Sequence, residues 1–187
     1  NTPVQSSVMT NAHNSTAIIL QSIGGGGGVG GAATAKSMVV GLGTFDPELS
    51  EVPAIGVSVA LGATGGSGGD GSNVEYWHVG NLSTYGNNSH GILSQSIGGG
   101  GGSGGDGTAS SQTLGVADTQ MNLSFGLGGQ AAGGADGGMS WVRVGPWSNS
   151  DGSVASTVPT TIRTVGHDSI AVFSQSIGGG GGDAGTG

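Results

Sequence analysis

Ile55, Val57, Val59 and Leu61 alternate along the chain with Gly56, Ser58 and Ala60. Met121, Leu123, Phe125 and Leu127 alternate in the same way with Asn122, Ser124 and Gly126. A period of two is the signature of a half-buried strand. Val74 to Val79 and Met139 to Val144 add short candidates rich in β-branched and aromatic residues. Ile92 to Ile97 and Ile170 to Ile177 are apolar runs with Ser and Gln interleaved. No stretch repeats with a period of 3.6, and no capping box opens an apolar helical run. The pattern predicts an all-β chain whose repeated units stack along one axis, a β-solenoid-like rod with ordered polyglycine segments.

The units are marked by repetition. Gln21-Ser22-Ile23, Gln95-Ser96-Ile97 and Gln175-Ser176-Ile177 are each followed by five glycines, at spacings of 74 and 80 residues. The likeness runs backwards as well. Asn14 to Leu20 aligns with Asn88 to Ser94 and with Asp168 to Ser174. A weaker block repeats at an offset of 66: Val59 to Gly62 matches Phe125 to Gly128, and Asp70-Gly71 matches Asp136-Gly137. Surplus residues therefore fall near Phe45 to Pro53 in the first unit and near Gly145 to Pro159 in the second. Both stretches contain Pro and polar residues, as surface loops do. The chain divides into the end of a preceding repeat (1–12), two full units (13–86 and 87–166) and the opening of a third (167–187), as one continuous array.

Five glycines in a row are compatible with a flexible linker. A linker, however, needs neither a fixed length nor the same Gln-Ser-Ile lead-in three times over. The alternative is a backbone layer, in which tracts from successive units lie side by side and pair through their amides. Ordering such a chain costs about 1–2 kcal/mol per residue, which only stacking with every amide paired offsets. The expected assembly residues are therefore the lead-ins and the tract ends: Gln21, Ser22, Ile23, Gly24 and Gly28; Gln95, Ser96, Ile97, Gly98 and Gly102; and Gln175, Ser176, Ile177, Gly178 and Gly182. Within a tract Gly100 is expected to tolerate a side chain less well than Gly107, which lies outside it.

His90-Gly91-Ile92-Leu93-Ser94-Gln95-Ser96-Ile97 with its five glycines resembles a repeat of large Gly-rich bacterial surface proteins, the autotransporter-like adhesins. The specific likeness covers about twelve residues of each unit; the third copy departs from it, with Ile170-Ala171-Val172 in place of His90-Gly91-Ile92. What the resemblance implies is an extracellular, repetitive stalk or fibre at the bacterial surface. It implies no catalytic residues.

Composition narrows the alternatives. Of 187 residues 45 are Gly, and only 3 are Lys or Arg against 11 Asp or Glu, for a net charge of −8. Three cations cannot displace the counterions of a nucleic acid. Gly at this density disfavours helix, because each costs about 1 kcal/mol there relative to Ala. There is no Cys, hence no disulfide or thiolate metal site. The longest clean apolar run, Ala17 to Leu20, is far shorter than the roughly 18 residues of a membrane span. No signal peptide is visible and the first residue is Asn, which reads as a mature piece of something longer.

Other candidate chemistry is weak. Gly30 to Ser37 departs from a phosphate-cradling loop at Ala35, and an apolar, strand-like run follows it. Gly65 to Asp70 and Gly101 to Asp106 fit the start of a calcium-binding nonapeptide, making Asp70 and Asp106 weak calcium candidates. Ser72 and Thr108 stand where that motif needs a bulky apolar residue, and tandem copies are missing. His167 and Asp168 point to opposite faces of an extended chain and do not form a triad with a nearby Ser. Trp77, Trp141, Trp147, Tyr76 and Tyr85 serve either packing between units or sugar binding. The function expected is therefore a non-catalytic structural or adhesive repeat. It would associate with itself or with further repeats, and with host or abiotic surfaces. The alternative is a carbohydrate- or surface-binding module.

Overall fold

The computed structural model describes residues 6–41, 48, 52–115, 119–146 and 159–187. The surplus stretches predicted near Phe45–Pro53 and Gly145–Pro159 lie largely outside these residues, as does Trp147.

The chain is all-β. Its strands are β1 (Ser6–Thr10), β2 (Ile18–Ile23), β3 (Ala33–Val40), β4 (Ala54–Leu61), β5 (Val74–His78), β6 (Gly80–Thr84), β7 (Ile92–Ile97), β8 (Gly107–Leu114), β9 (Gln120–Leu127), β10 (Ser140–Val144), β11 (Thr161–Thr164) and β12 (Val172–Ile177). Every pairing is parallel, and each sheet joins equivalent strands of successive repeats: β1-β6-β11, β12-β7-β2, β10-β5, β3-β8 and β4-β9. The register aligns like with like, as in Gln21, Gln95 and Gln175 or Ile23, Ile97 and Ile177. A slip of one residue would turn every side chain to the other face, so the repeated sequence fixes the pairing. The 66-residue offset returns as the pairing of Leu61 with Leu127 and of Val74 with Ser140.

Two compact units cut across the sequence repeats. One is made of Asn1–Gly24, Asp70–Gly98 and Asp136–Gly178; the other of Gly25–Gly69, Gly99–Ala135 and Gly179–Gly187. In the first, the sealed side chains lie mostly on or between the central strands β6 and β7 and are mostly small and polar. Leu82, Ile92, His78, Thr84, Ser89, Ser94 and Ser96 are all sealed from solvent. Their hydroxyls are paired, as burial demands. Ser94 Oγ lies 2.7 Å from Ser140 Oγ, which lies 2.9 Å from Ser174 Oγ. Thr84 Oγ1 donates to the Ser89 carbonyl at 2.6 Å.

In the second unit the β3-β8 and β4-β9 sheets meet through their small residues. Ser58 Oγ is 2.9 Å from Ser37 Oγ and donates to the Ser110 carbonyl at 2.6 Å. Ser111 Oγ is 3.0 Å from Ser124 Oγ. Alternating strands ordinarily bury their larger half, but here the order is reversed. Ala54, Gly56, Ser58 and Ala60 are buried while Ile55, Val57, Val59 and Leu61 face outward. Sheets this close exclude large side chains: a Cβ on Gly56 would stand 2.8 Å from Asn122 Oδ1 and 3.3 Å from Ser111 Cβ.

Candidate functional site

The residues singled out in the sequence lie where one repeat meets the next. Each lead-in begins at a turn with the same construction. Asn14, Asn88 and Asp168 hold φ near +55° (55°, 53° and 55°), a left-handed conformation that Asn and Asp tolerate better than other side chains. Thr10, Thr84 and Thr164 close these turns by donating from Oγ1 to the carbonyls of Ser15, Ser89 and Ser169. Neighbouring turns are then tied together. The Ser15 amide donates to Ser89 Oγ, and the Ser89 amide to Ser169 Oγ, each at 3.0 Å. His13 Nδ1 accepts from the Asn87 amide and His90 Nδ1 from the Ile170 amide, both at 3.0 Å.

In the Gln-Ser-Ile segments Gln21 Nε2 donates to Gln95 Oε1 at 2.7 Å, and Gln175 pairs in register with Gln95. The serine of each triplet reaches towards the segment after Asp70 or its equivalent after Asp136. Ser22 Oγ accepts from the Ser72 amide at 2.7 Å. Ser96 Oγ donates to the Ser72 carbonyl at 2.8 Å and accepts from the Gly138 amide at 2.7 Å. A Cβ on Gly137 would stand 2.7 Å from Ser176 Oγ. Ile23 and Ile177 are exposed, and their pairing is through backbone: Gly24 donates to the Ile97 carbonyl at 2.7 Å and Gly98 to that of Ile177 at 2.8 Å. Gly178 follows Ile177 directly. The sequence singled out Ser22, Ser96 and Ser176 but not their partners, nor the Thr10, Thr84 and Thr164 turns. The exact repeat of Thr five residues before Ser was the available signal.

The glycine tracts pair with a period of three. Gly27, Gly30 and Ala33 donate to the carbonyls of Gly100, Ser103 and Asp106, each at 2.7 Å. Gly99, Gly102 and Gly105 donate to those of Gly69, Gly66 and Ala63; Gly101, Gly104 and Gly107 donate to those of Gly180, Asp183 and Thr186. Gly28 accepts from the Gly66 amide at 2.8 Å, and Gly182 donates to the Ala132 carbonyl at 3.0 Å. Segment 99–107 therefore uses successive residues to bond to different neighbours.

That geometry corrects the expectation for Gly100. A Cβ there would find its nearest neighbour, the Gly180 oxygen, at 3.8 Å, an ordinary contact. At Gly107 it would overlap the Leu127 oxygen and stand 2.9 Å from the Ala60 oxygen. Gly102 is closed as well, because a Cβ would overlap the Gly28 oxygen. Closeness is decided by which of the three directions a residue faces, not by membership of the tract.

The carboxylates proposed for calcium bond to backbone of the following repeat. Asp70 Oδ1 accepts from the Asp136 amide at 3.1 Å. Asp106 Oδ1 accepts from the Thr186 amide at 2.7 Å and from Thr186 Oγ1 at 2.9 Å. The Thr186 amide, and then its hydroxyl, holds the Asp106 carboxyl below its ordinary pKa. Among the described residues no three His, Cys, Asp or Glu converge as a metal-binding group.

The aromatics gather on β5 and β10. The Arg143 guanidinium sits 4.2 Å from the centre of the Trp141 ring and 5.1 Å from that of Trp77, whose Nε1 donates to the Gly145 carbonyl at 3.1 Å. Trp141 also lines a shallow groove with Asn73, Glu75 and Met139. Behind them His78 is fully buried; its Nδ1 lies 3.3 Å from the Tyr76 hydroxyl, and its Nε2 makes no close hydrogen bond among the described residues. Burial lowers the His78 pKa and raises that of Tyr76. Lys36 stands on β3 opposite Ser110, on a strand and not at a helix start. Among the described residues no helix is long and apolar enough to cross a membrane.

Comparison of the chain with protein-family models, with curated proteins and with solved structures found no match.

Proposed function

We propose that this chain is a non-catalytic structural and adhesive repeat of an extracellular bacterial stalk or fibre, in which each repeat is one coil of a β-solenoid-like array. The observation that carries the reading is the register: identical triplets from three repeats pair side by side, with β2 and β12 left as sheet edges. An edge strand is a template for another strand, and matching repeats supply one. The partners are accordingly further repeats of a longer chain or other copies of this one.

The glycine segments support the same reading. Donors that recur every third residue fit a chain with three residues per turn and no internal hydrogen bonds, as in polyproline II. We read these segments as polyglycine helices bundled through their backbones. Cellular placement and the adhesive role, towards host or abiotic surfaces, rest on the resemblance of the repeats to those of the autotransporter-like adhesins.

Electron microscopy of the purified chain over a range of concentrations tests the proposal. Particles should lengthen as concentration rises, and Val172→Pro, which removes an outward-facing donor from the free edge of β12, should stop the lengthening. A uniform single-chain particle at every concentration would sink it. A carbohydrate-binding role is the second reading, favoured by Trp141 beside Glu75 and Asn73 in an open groove. Loss of glycan binding in Trp141→Ala, with particle length unchanged, would support it.

A further inference from the structure

The outward face of the β4-β9 sheet carries Ile55, Val57, Val59 and Leu61 beside Met121, Leu123, Phe125 and Leu127, in register and each between 42% and 60% exposed. The sheet cannot turn to bury them, because its other face is fitted to the Ser37 and Ser111 hydroxyls and the Ser110 carbonyl. At half exposure, eight such side chains present on the order of 600–700 Å² of apolar surface. The largest patch on a typical monomer is roughly 300–600 Å², and a stable protein interface takes about 800 Å² from each partner.

We propose that this face is covered by the same face of a second copy of the chain, apolar sheet against apolar sheet. Charge argues for a copy. The chain carries a net charge of −8, so two copies repel wherever their acidic groups meet. Neither β4 nor β9 contains a single Asp, Glu, Lys or Arg, so here two copies approach with least repulsion. Shape argues the same way. Side chains in rows two residues apart, on strands about 4.8 Å apart, interdigitate with another such array at about 10 Å. A surface built for anionic lipid would add cations around its apolar centre, and these strands have none. The outer face of β3-β8 is less apolar: Met38 and Leu114 are exposed there, but among Thr34, Lys36, Thr108, Ser110 and Gln112. This sideways pairing is separate from the lengthwise stacking proposed above and does not depend on it.

The experiment compares the intact chain with Val57→Glu/Phe125→Glu, Val57→Lys/Phe125→Lys and the milder Val57→Thr/Phe125→Thr. Sedimentation equilibrium gives the mass, electron microscopy separates particle width from length, and circular dichroism confirms folding. The unaltered chain should form particles of doubled width. Either charged variant should pair at least tenfold more weakly, and a mixture of the two should pair again. If a charged variant fails to fold, the Thr variant carries the test and should also pair more weakly. Particles that lengthen without widening overturn this inference and leave the stacking proposal standing; particles that widen without lengthening do the reverse. Charged variants that pair like the parent overturn it. So does a chain that stays single in width yet binds alkyl-coated beads or phosphatidylcholine vesicles through this face.

Discussion

The side-chain amide of Gln21 donates to the side-chain oxygen of Gln95 across 2.7 Å, although 74 residues separate the two along the chain. An amide can donate to the level on one side while accepting from the level on the other, so Gln suits a ladder better than a hydroxyl does. Because the pair is exposed, Gln95→Ala should cost only about 0.5–1.5 kcal/mol in denaturant titration. A loss several times larger would mean that the ladder nucleates the stack rather than decorating it.

Ser96, one residue on, should matter more. Its hydroxyl is fully buried and joins the Ser72 carbonyl to the Gly138 amide. Ser96→Ala orphans both groups, for a loss of about 1–3 kcal/mol. If thermal melting ranked Gln95→Ala as the more damaging change, the description of the serine as a buried staple would be wrong.

Within the glycine segments, Gly100→Ala should leave the melting temperature nearly unchanged, while Gly102→Ala should lower it by many degrees or prevent folding. The difference follows from backbone oxygens that cannot move aside at Gly102 and from open space at Gly100. Equal behaviour at the two positions would contradict the three-direction pairing.

His78 makes stability depend on pH. Burial lowers its pKa from the ordinary 6.5, so the folded chain binds fewer protons than the unfolded one. Its contribution is complete above about pH 6.5 and is lost as the pH falls from there towards the lowered folded value. Val144 occupies the paired position in the next repeat, so His78→Val should fold and flatten the stability profile in that window. The Asp106 contribution lies lower: it is present above 3.8 and fades as acid protonates the carboxylate. A profile unchanged between pH 7 and 5 on replacing His78 would count against the buried neutral imidazole.

At Asn88, with φ of 53°, Gly should be accepted and Ala should cost about 1 kcal/mol, because only the latter meets the left-handed steric penalty. Chemical denaturation of the two variants decides it. An Ala variant as stable as the Gly variant would show that the turn relaxes.

Strand positions and their alignment were legible because the repeated residues are the ones that pair: Gln21, Gln95 and Gln175 fall in one row. The 66-residue offset likewise announced that Leu61 would meet Leu127. Which half of an alternating strand turns inward was not legible. Period two marks two faces, and only the contacts of the Ser58 hydroxyl with Ser37 Oγ and the Ser110 carbonyl select the small one. The three-residue periodicity of the glycine segments was hidden for a simpler reason: identical residues carry no pattern. The staple at Ser96 was visible as a repeated letter, but its partners at Ser72 and Gly138 lie in segments with no lead-in of their own.

Residues 41–53 join β3 to β4, whereas residues 115–119 join the equivalent β8 to β9, and still every position of β4 finds its counterpart on β9. What one level must share with the next is therefore confined to its paired segments, and the connector is free to differ from level to level. Such a connector is a place for novelty: stretches as unequal as 41–53 and 115–119 leave all eight pairings of β4 with β9 in place. The same freedom makes it the natural point at which to graft a foreign epitope for display.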